Sequence, residues 1–459
     1  MKKGTSGVAS AAIVMSLVVL TSGSHVNADE EMVRGITRRA ATECPQNSGG
    51  SSISEEEGLA QDRWVFHVGG QIRFRGDFTE NQNLSDFAFT PDEEESQLLE
   101  RTRLHGSAEN QDLGLKAFAQ VQWYGRWGGV DDRSDVDLYQ GYVDWEKIAD
   151  SPLSVKVGRQ DLAYGSTFFL GANDFYNGLS WDGVKLNASP SERLSVDFLG
   201  LKMAKLNPGD PDIYLAGAYT TYRIHEEGTI EGYLFRHRGG FPLTHREFEI
   251  IDSGQKFYNL GFRFAGAAGA LDYEFEPQFQ WGKVDNPVGD GTDKVKAYGG
   301  HVDIGYTLKL PWEPRVFAAY ALGSGDNDPF DNEFAEFHGN IFNDNYLVGD
   351  TGVIADLSGV TVEGIRASGM QVWVGGISVD PHEDFNLSVD VHHFRAAGVP
   401  PGFSRNVGTE VNLVGSYELT ENVCVLAGLN RFFTSRFFEQ ASGSGENIDY
   451  AYIQAEVEF

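Results

Sequence analysis

Eighteen stretches of the chain between Arg63 and Phe459 read as β-strands, and the connections between them alternate between short turns and long loops. Bacterial outer-membrane barrels have an even number of strands, short periplasmic turns and longer external loops. The sequence therefore predicts an all-β fold, a transmembrane antiparallel barrel of about 18 strands with both chain ends on the periplasmic side. Short turns are predicted at residues 111–112, 148–151, 189–191, 225–228, 267–268, 309–312, 381–383 and 419–421. Long loops are predicted at residues 80–97, 126–134, 162–179, 202–211, 239–254, 283–293, 324–366, 397–405 and 434–446.

Strict alternation along single strands supports this architecture. In the last strand Ala451, Ile453, Ala455 and Val457 alternate with Tyr450, Tyr452, Gln454, Glu456 and Glu458. Residues 271–281 alternate in the same way, with carboxylates and amides on one face. Carboxylates at every second position of a strand cannot face lipid without a large free-energy cost, so this face is predicted to line a water-filled lumen. Phe459 at the end of the last strand is typical of the signal that barrel-assembly machinery recognises.

The first residues indicate export from the cytoplasm. Lys2 and Lys3 precede an apolar run and a small-residue exit at Ala28, which predicts a cleaved signal peptide over residues 1–28. Residues 29–62 are rich in Ser, Gly and Glu without periodicity, and are predicted to be a disordered periplasmic leader. Residues 63–459 are predicted to form one barrel domain. Only Cys44 and Cys424 are present, which disfavours a disulfide framework or a thiolate metal site.

Composition separates the barrel from its rivals. No segment outside the signal peptide is apolar for the roughly 18 residues that a spanning helix needs. A secreted soluble β-protein remains the structural alternative, but 18 Tyr, 31 Phe and 8 Trp, many at strand ends, favour aromatic girdles at two membrane interfaces. The formal charge of −31 argues against a nucleic-acid partner.

The first predicted hairpin carries the main candidate site. Arg73 and Arg75 share a face in the first strand, and Arg101, Arg103 and His105 share a face in the second. A symmetric hairpin pairs residues whose numbers sum to about 177, which places these cations side by side in the lumen. Guanidinium groups bind carboxylates and phosphates and stay charged. The cluster is either a selectivity ladder for an anionic solute or a set of structural ion pairs with lumenal acids. Further basic candidates are Lys116, Arg126, Lys156, Arg159, Arg223, Arg263 and the Arg236-His237-Arg238 run, with Arg263 expected opposite Asp272.

Several segments resemble the alginate export family of outer-membrane barrels. They are DLYQGYVD at residues 137–144, VKVGRQDLAYG followed by SWDGVKL, YALGSGDNDPFDNEFAEF at 320–337, and the closing GTEVNLVGSYELTENV and YAYIQAEVEF. The resemblance implies a monomeric pore with an arginine-lined lumen that passes a polyanionic polysaccharide. Phe168 and Leu179 stand where members of the family often carry arginine.

Other chemistries have weaker support. Asp326, Asp328, Asp331 and Glu333 could hold Ca²⁺ in an outer loop, but a solvated acidic loop is the simpler interpretation, and no metal or other cofactor is predicted. No sequence motif of a hydrolase, metalloprotease or nucleotide-binding enzyme occurs, so no enzymatic activity is predicted.

The expected function is a passive outer-membrane channel for an anionic polysaccharide or oligosaccharide. The long loop at residues 324–366, which includes Asp326, Asp328, Asp331 and Glu333, is the expected constriction. The alternative is a general or cation-preferring porin for small solutes whose acidic rings are Glu274, Glu276, Asp303, Asp390 and Glu410.

Overall fold

The computed structural model describes residues 51–53, 64–85, 87–128, 133–146, 148–171, 177–204, 212–242, 250–285, 291–328, 330–338 and 346–459. The predicted signal peptide lies outside the described residues, as does the predicted leader apart from Ser51–Ile53. These three residues form a short strand with Ser51 opposite Val68.

An 18-stranded closed antiparallel barrel accounts for almost all of the described chain, as the sequence predicted. Each strand pairs with the next one along the chain, and the last strand closes the barrel on the first, with Val457 opposite Ile72. The strands are β1 Trp64–Gln82, β2 Phe89–Asn110, β3 Leu115–Trp127, β4 Arg133–Trp145, β5 Leu153–Gln160, β6 Trp181–Ser191, β7 Leu194–Met203, β8 Ile213–His225, β9 Gly228–Pro242, β10 Ile250–Ala268, β11 Leu271–Asp285, β12 Thr292–Thr307, β13 Arg315–Gly323, β14 Ile365–His382, β15 Phe385–Gly398, β16 Asn406–Thr420, β17 Val423–Thr434 and β18 Ile448–Glu458.

The described connections between the strands contain short strands, one short helix and two 3₁₀ turns. Short strands at Glu333–Phe334 and Gly359–Val362 pair with β12 and β14, respectively. A two-turn helix, α1, spans Arg436–Ser442 between β17 and β18. Single 3₁₀ turns lie at Ile148–Asp150 and Tyr346–Val348. Among the described residues, no helix has the length and apolar character needed to span a bilayer.

The predicted alternation places polar side chains inside the barrel. On β11 the side chains of Glu274, Glu276 and Gln278 are buried, while Phe275 and Phe279 are 52% and 50% exposed on the outer face. On β18 Tyr450, Tyr452, Gln454 and Glu456 are buried in the interior and Ile453 is exposed outward, as predicted. Side chains of a strand alternate between the two faces, so these patterns fix which face of each strand meets lipid.

Exposed aromatic side chains mark the two membrane interfaces. Odd-numbered strands run outward from the periplasmic turns, and even-numbered strands run back. Near the periplasmic ends the exposed rings include Trp64, Phe66, Trp145, Tyr222 and Tyr306, and near the external ends they include Phe78, Tyr258, Trp281, Trp373 and Phe433. This is the double girdle expected of an outer-membrane barrel.

Two long loops were predicted at the wrong length. The loop expected at 80–97 is reduced to residues 83–88, because β1 runs to Gln82 and β2 begins at Phe89. Glu94 pairs with Glu80 within this hairpin extension. Likewise β9 continues to Pro242 and β10 begins at Ile250. Outside the membrane both faces of a strand are solvated, so these extensions need no apolar alternation, and polar composition does not distinguish them from loops.

The lumen is filled in part by two external loops. Loop L3 (residues 161–180, between β5 and β6) contributes Leu162, Leu170 and Leu179 to a buried apolar cluster with inward side chains of β6–β9. Loop L7 (residues 324–364, between β13 and β14) contributes to a larger cluster that also includes inward side chains of β14–β17 and α1. Burying one such side chain stabilises the fold by roughly 1.5–3 kcal/mol, so the contacts hold both loops inside the barrel. The L7 residues of the cluster are Phe337, Leu347, Val348, Val353, Ile354, Leu357, Val360 and Val362.

One expectation about cysteine is corrected by the structure. Cys424 faces the interior near the periplasmic start of β17 and is disulfide-bonded. The other cysteine of the chain, Cys44, lies outside the described residues.

Candidate functional site

Five inward arginines lie on three adjacent strands and form what we call the arginine wall. Arg73 and Arg75 lie on β1, Arg101 and Arg103 on β2, and Arg126 on β3, all of them buried from bulk solvent. The predicted facing of the first hairpin is therefore correct. Its register differs, because Arg73 pairs with Arg101 and Gln71 with Arg103, a sum of 174. A bulge at Asn81 and the short β1–β2 loop produce this difference.

Arg75 is held in a network of acid and tyrosine side chains. Its Nε lies 2.8 Å from Asp77 Oδ1, and its Nη2 donates to the Tyr450 hydroxyl at 2.9 Å. The Tyr450 hydroxyl donates in turn to Asp77 at 2.7 Å, and the guanidinium lies 3.8 Å above the Tyr452 ring. For Arg75 the structural interpretation of the lumenal arginines therefore holds, since its charge is matched inside the network.

Arg101 and Arg103 are oriented by neutral oxygen atoms. Arg101 Nη2 donates to Gln71 Oε1 at 2.5 Å, and Arg103 Nε donates to Gln122 Oε1 at 2.7 Å. The Arg103 guanidinium lies 3.8 Å from the centre of the Tyr139 ring. Stacking on an aromatic face fixes the plane of a guanidinium and the direction of its N–H groups.

The remaining predicted cations have varied placements. His105 faces inward and its ring stacks on Phe118 at 5.5 Å. Lys116 forms an exposed ion pair with Glu109 at 2.6 Å near the periplasmic end. Arg223 lies on the inner face of β8 close to its periplasmic end, where its side chain is half-buried.

Arg159 does not face the lumen. It lies on the face of β5 opposite to Lys156 and Gln160, and pairs with Asp182 at 2.7 Å and Asp137 at 3.5 Å. The sequence could not decide this orientation, because the apolar alternation of β5 breaks at Gly158. Arg236 and Arg238 also face outward, whereas His237 between them is buried.

A buried acidic cluster lies on β9–β12, on a different side of the lumen from the arginine wall. Arg263 contacts Glu231 at 2.9 Å and binds Glu274 with two N–H groups at 3.1 and 3.3 Å. It is therefore not paired with Asp272, as the register had suggested; Asp272 pairs with Arg315. The pairing of β10 with β11 is shifted by a few residues from a symmetric hairpin. Arg263 therefore meets Glu231 and Glu274 rather than Asp272, but it still neutralises lumenal carboxylates.

Tyrosines and His301 complete the acidic cluster. Glu276 accepts from the Tyr233 hydroxyl at 2.7 Å, Glu231 accepts from the Tyr219 hydroxyl, and His301 contacts Asp303. Ligand atoms of Glu274, Glu276 and His301 lie within 4.8 Å of one another. Because Arg263 already occupies the centre of this group, the carboxylates are satisfied by a guanidinium rather than arranged around an open cation position.

A second acidic site lies on β15 and β16. His392 contacts Asp390 at 2.7 Å, and Glu410 is fully buried and accepts hydrogen bonds from Thr351 of L7. All five residues predicted as acidic rings, namely Glu274, Glu276, Asp303, Asp390 and Glu410, therefore lie on the inner face of the barrel.

L3 connects the two walls. On one side the Asn177 carbonyl accepts from Gln122 at 2.8 Å and from Arg103 at 3.4 Å. On the other side Ser166 donates to Glu276 at 3.3 Å, and the Phe169 ring stacks on Tyr233 at 4.7 Å. L3 therefore narrows the lumen between the arginine wall and the acidic cluster.

Two glycines allow these close approaches. Gly178 has φ +71°, and a Cβ there would lie 2.5 Å from the Tyr139 hydroxyl and 2.8 Å from Arg103 Nη2. Gly165 has φ +58°, and a Cβ there would lie 2.9 Å from the Arg263 side chain. Only glycine takes this backbone conformation at no steric cost while leaving room for the facing groups.

L7 caps the outer part of the lumen, and the four acidic residues predicted as its constriction have their partners within L7 or on β12. Asp328 and Asp331 are exposed at the rim, where they accept backbone N–H groups in successive turns, and Glu333 pairs with Lys296 of β12. Asp326 accepts the Asp328 and Ala335 N–H groups. The buried apolar side chains that L7 and L3 contribute to the lumen belong to other residues of these loops.

His338 of L7 gives the cap an expected pH dependence. Burial lowers the pKa of His338 from 6.5 to about 4, with the ring 4.6 Å from Phe257 and a second buried imidazole, His237, on β9. A released loop would bind a proton near pH 6.5, whereas the docked loop binds one only near pH 4. Lowering the pH through this window therefore favours release, by up to roughly 3 kcal/mol below pH 4.

We expect channel conductance in planar bilayers to rise or fluctuate as the pH falls from 7 to 4. The variant His338→Asn keeps the backbone hydrogen bonds to Gln280 but cannot titrate, so it should show a flatter pH profile. An identical profile in both proteins would contradict this role for His338.

The profile of the family described as alginate export matches residues 65–448, which is most of the chain. The chain belongs to the alginate export family. No curated protein sequence is similar enough to this member to count as a match.

The fold of this protein is similar to those of solved porins of Pseudomonas aeruginosa. OpdL superposes with a TM-score of 0.59 at 12% identity, covering 86% of this chain and 98% of its own. OccK5 (OpdH) gives 0.57 at 10% identity with coverage of 85% and 98%, and OprD gives 0.52 at 12% with 90% and 99%. At sequence identities this low, the structural similarity establishes the fold alone. Family and fold together make this alginate export protein a passive channel of the Gram-negative outer membrane.

The entry of L3 into the lumen was not predicted from the sequence of this alginate export family member. L3 carries Phe168, Phe169 and Leu170 in succession, and Phe168 and Leu170 are fully buried. Three apolar residues within a long external loop were the available signal, because such a loop in water would leave them exposed. The tyrosines that frame the arginine wall, Tyr139, Tyr450 and Tyr452, were also not recognised as part of the site.

Proposed function

We propose that this channel selects anionic saccharides, of the polyuronate type that its family name suggests, by means of the arginine wall. The observation that carries the proposal is the register pairing of Arg73 with Arg101, with Arg103 one pairing step away opposite Gln71. Three lumenal guanidiniums from two strands therefore lie in one patch. Carboxylates of a uronate chain match such forks geometrically.

The narrow, partly filled lumen strengthens the effect of the fixed charges. L3 approaches Arg103 directly through Asn177, and L7 approaches Arg75 through Asp350, whose carboxylate accepts from Tyr452 at 3.0 Å. Low-dielectric walls focus the field of fixed charges and raise the local concentration of the opposite ion. Solute movement would be diffusive along its gradient.

The acidic cluster supports a second candidate, a porin for small cations. Its carboxylates are, however, engaged by Arg263, Tyr219, Tyr233 and His301. Carboxylates held in this way have a weaker field at the lumen than free acids. We therefore favour the arginine wall as the element that sets selectivity.

The reversal potential of the purified protein under a KCl gradient tests the proposal. We expect anion preference in the unmodified channel, with block by added polyuronate. The double variant Arg101→Ala with Arg103→Ala should reduce anion preference and weaken polymer block about tenfold or more, since each guanidinium hydrogen bond to a charged group is worth about 1.5–3 kcal/mol.

Arg395→Ala is the matched control, because this arginine is exposed on the outer face of β15. It should leave selectivity and block unchanged. Cation preference in the unmodified channel, with no polyuronate block, would reject the proposal and favour the cation-preferring porin. In that case Glu274→Gln, rather than the arginine variants, should change the selectivity.

A further inference from the structure

A row of cations crosses six neighbouring strands on the outer surface of the barrel. Lys202 of β7 pairs in register with Tyr214 of β8, which pairs with Arg238 of β9. Arg238 pairs with Lys256 of β10, Lys256 with Lys283 of β11, and Lys283 with Lys294 of β12. Directly paired side chains lie about 5 Å apart, so the row extends about 24 Å around the barrel. We call Lys202, Arg238, Lys256, Lys283 and Lys294 the basic belt.

The belt faces outward, away from the lumen. Its side chains alternate with buried ones on the same strands, namely His237, Phe257, Val284 and Val295. Arg238, Lys256, Lys283 and Lys294 are exposed, and Lys202 is half-buried beside Tyr214. These cations therefore cannot act on a solute inside the channel.

The register also sets the height of the belt. One step toward the periplasm, Arg236 pairs with Tyr258, Tyr258 with Trp281, and Trp281 with Lys296. The rings of Tyr258 and Trp281 stack at 5.6 Å and belong to the external aromatic girdle. A further step down, the paired side chains are Leu234, Leu260, Phe279 and Tyr298. The belt thus lies immediately above the apolar band, where lipid headgroups meet the barrel.

Like charges in directly opposed positions repel each other and destabilise a sheet. Lys202 is compensated by Asp212 at 2.9 Å, and Lys296 by Glu333. Among the described residues, Arg236, Arg238, Lys256, Lys283 and Lys294 form no side-chain ion pair. A chain of net charge −31 nevertheless places them in adjacent register. At the same end of the barrel β1 and β2 instead present Glu80 opposite Glu94.

We propose that the basic belt binds the phosphate groups of lipid A, the membrane anchor of lipopolysaccharide in the outer leaflet. The phosphates would contact Arg238, Lys256, Lys283 and Lys294, while the acyl chains pack on the girdle and the apolar rows beneath it. Each cation near an anionic lipid surface contributes about 1 kcal/mol, which corresponds to about fivefold in affinity. The belt would orient this side of the barrel toward ordered lipopolysaccharide independently of what the channel transports.

Native mass spectrometry of the full-length protein in detergent, titrated with bisphosphorylated lipid A, tests the assignment. The combined variant Arg238→Gln, Lys256→Gln, Lys283→Gln and Lys294→Gln should lower the affinity by roughly several hundredfold. The matched control is Arg395→Gln with Arg431→Gln, two outward-facing arginines on β15 and β17. The control should bind as the unmodified protein does.

Two further arms identify the ligand. Dephosphorylated lipid A should bind the unmodified protein as weakly as bisphosphorylated lipid A binds the combined variant, and phosphatidylglycerol should bind at least tenfold more weakly than bisphosphorylated lipid A. Unchanged lipid A affinity in the combined variant would overturn the proposal, as would equal affinity for phosphatidylglycerol. Heat-modifiable migration on gels confirms that each variant forms a folded barrel, so loss of binding is not confused with misfolding.

Discussion

Excising the whole of L3, residues 161–180, and joining Gln160 to Trp181 through a short Gly-Ser linker is expected to raise single-channel conductance several-fold. The segment bridges the lumen between Gln122 and Arg103 on one side and Glu276 on the other. Its removal opens this crossing of the lumen while leaving β5 and β6 intact. Gln160 and Trp181 are paired in register at the ends of β5 and β6, so a short turn can join them.

A comparable excision in an exposed loop provides the control. Removing residues 443–445, which follow α1 and are exposed or half-buried, should leave conductance unchanged, because these residues do not reach the lumen. Equal conductance of the L3-excised and unmodified channels would mean that the L7 cap limits flow. The corresponding L7 variant, Phe337→Ala with Leu357→Ala, should then show the larger increase, since both side chains are buried in the cap.

Replacing Arg263 with methionine is expected to destabilise the barrel strongly, by about 3–5 kcal/mol. The guanidinium lies 2.9 Å from Glu231 and 3.1 Å from Glu274, and it is 6% exposed. Without it two buried carboxylates lose their counter-charge, and the penalty for keeping them ionised away from water is no longer offset. The free energy of unfolding in urea, measured on detergent-solubilised protein, gives the effect directly.

Rescue distinguishes this electrostatic mechanism from loss of packing. Arg263→Met combined with Glu231→Gln and Glu274→Gln removes the uncompensated charges and should recover most of the lost stability. Arg159→Ala is the comparison, because this outward guanidinium forms more exposed ion pairs and should cost about 1 kcal/mol or less. A triple variant as unstable as the single one would assign the loss to packing.

The architecture could be predicted because the membrane imposes it locally. Each strand has to expose apolar side chains on one face, so β11 and β18 carry an alternation that determines their facing without any knowledge of neighbours. Strand count followed from the turns between them. The inward direction of Arg73, Arg75, Arg101 and Arg103 followed from the same rule, and the structure places all four inside.

The ion-pair partners of lumenal side chains could not be predicted from the sequence. Arg263 was expected to face Asp272, but strand slip and bulges, such as the one at Asn81, shift registers by several residues. The orientations of Arg159, Arg236 and Arg238 also required the structure. Arg236 and Arg238 flank an inward His237 at the external end of β9, where the strand leaves the membrane and charged residues are tolerated on either face.

The sequence by itself therefore determined the number of strands, their direction and the face that each presents to lipid. Each charged side chain that faces hydrocarbon costs free energy independently of its neighbours, so the constraint acts on every residue separately. The tertiary structure decided which loops enter the lumen, which acids meet which guanidiniums, and how cations from six strands align into one belt. These features depend on contacts between residues distant along the chain, whose free energies are set by packing and register. No local pattern encodes them.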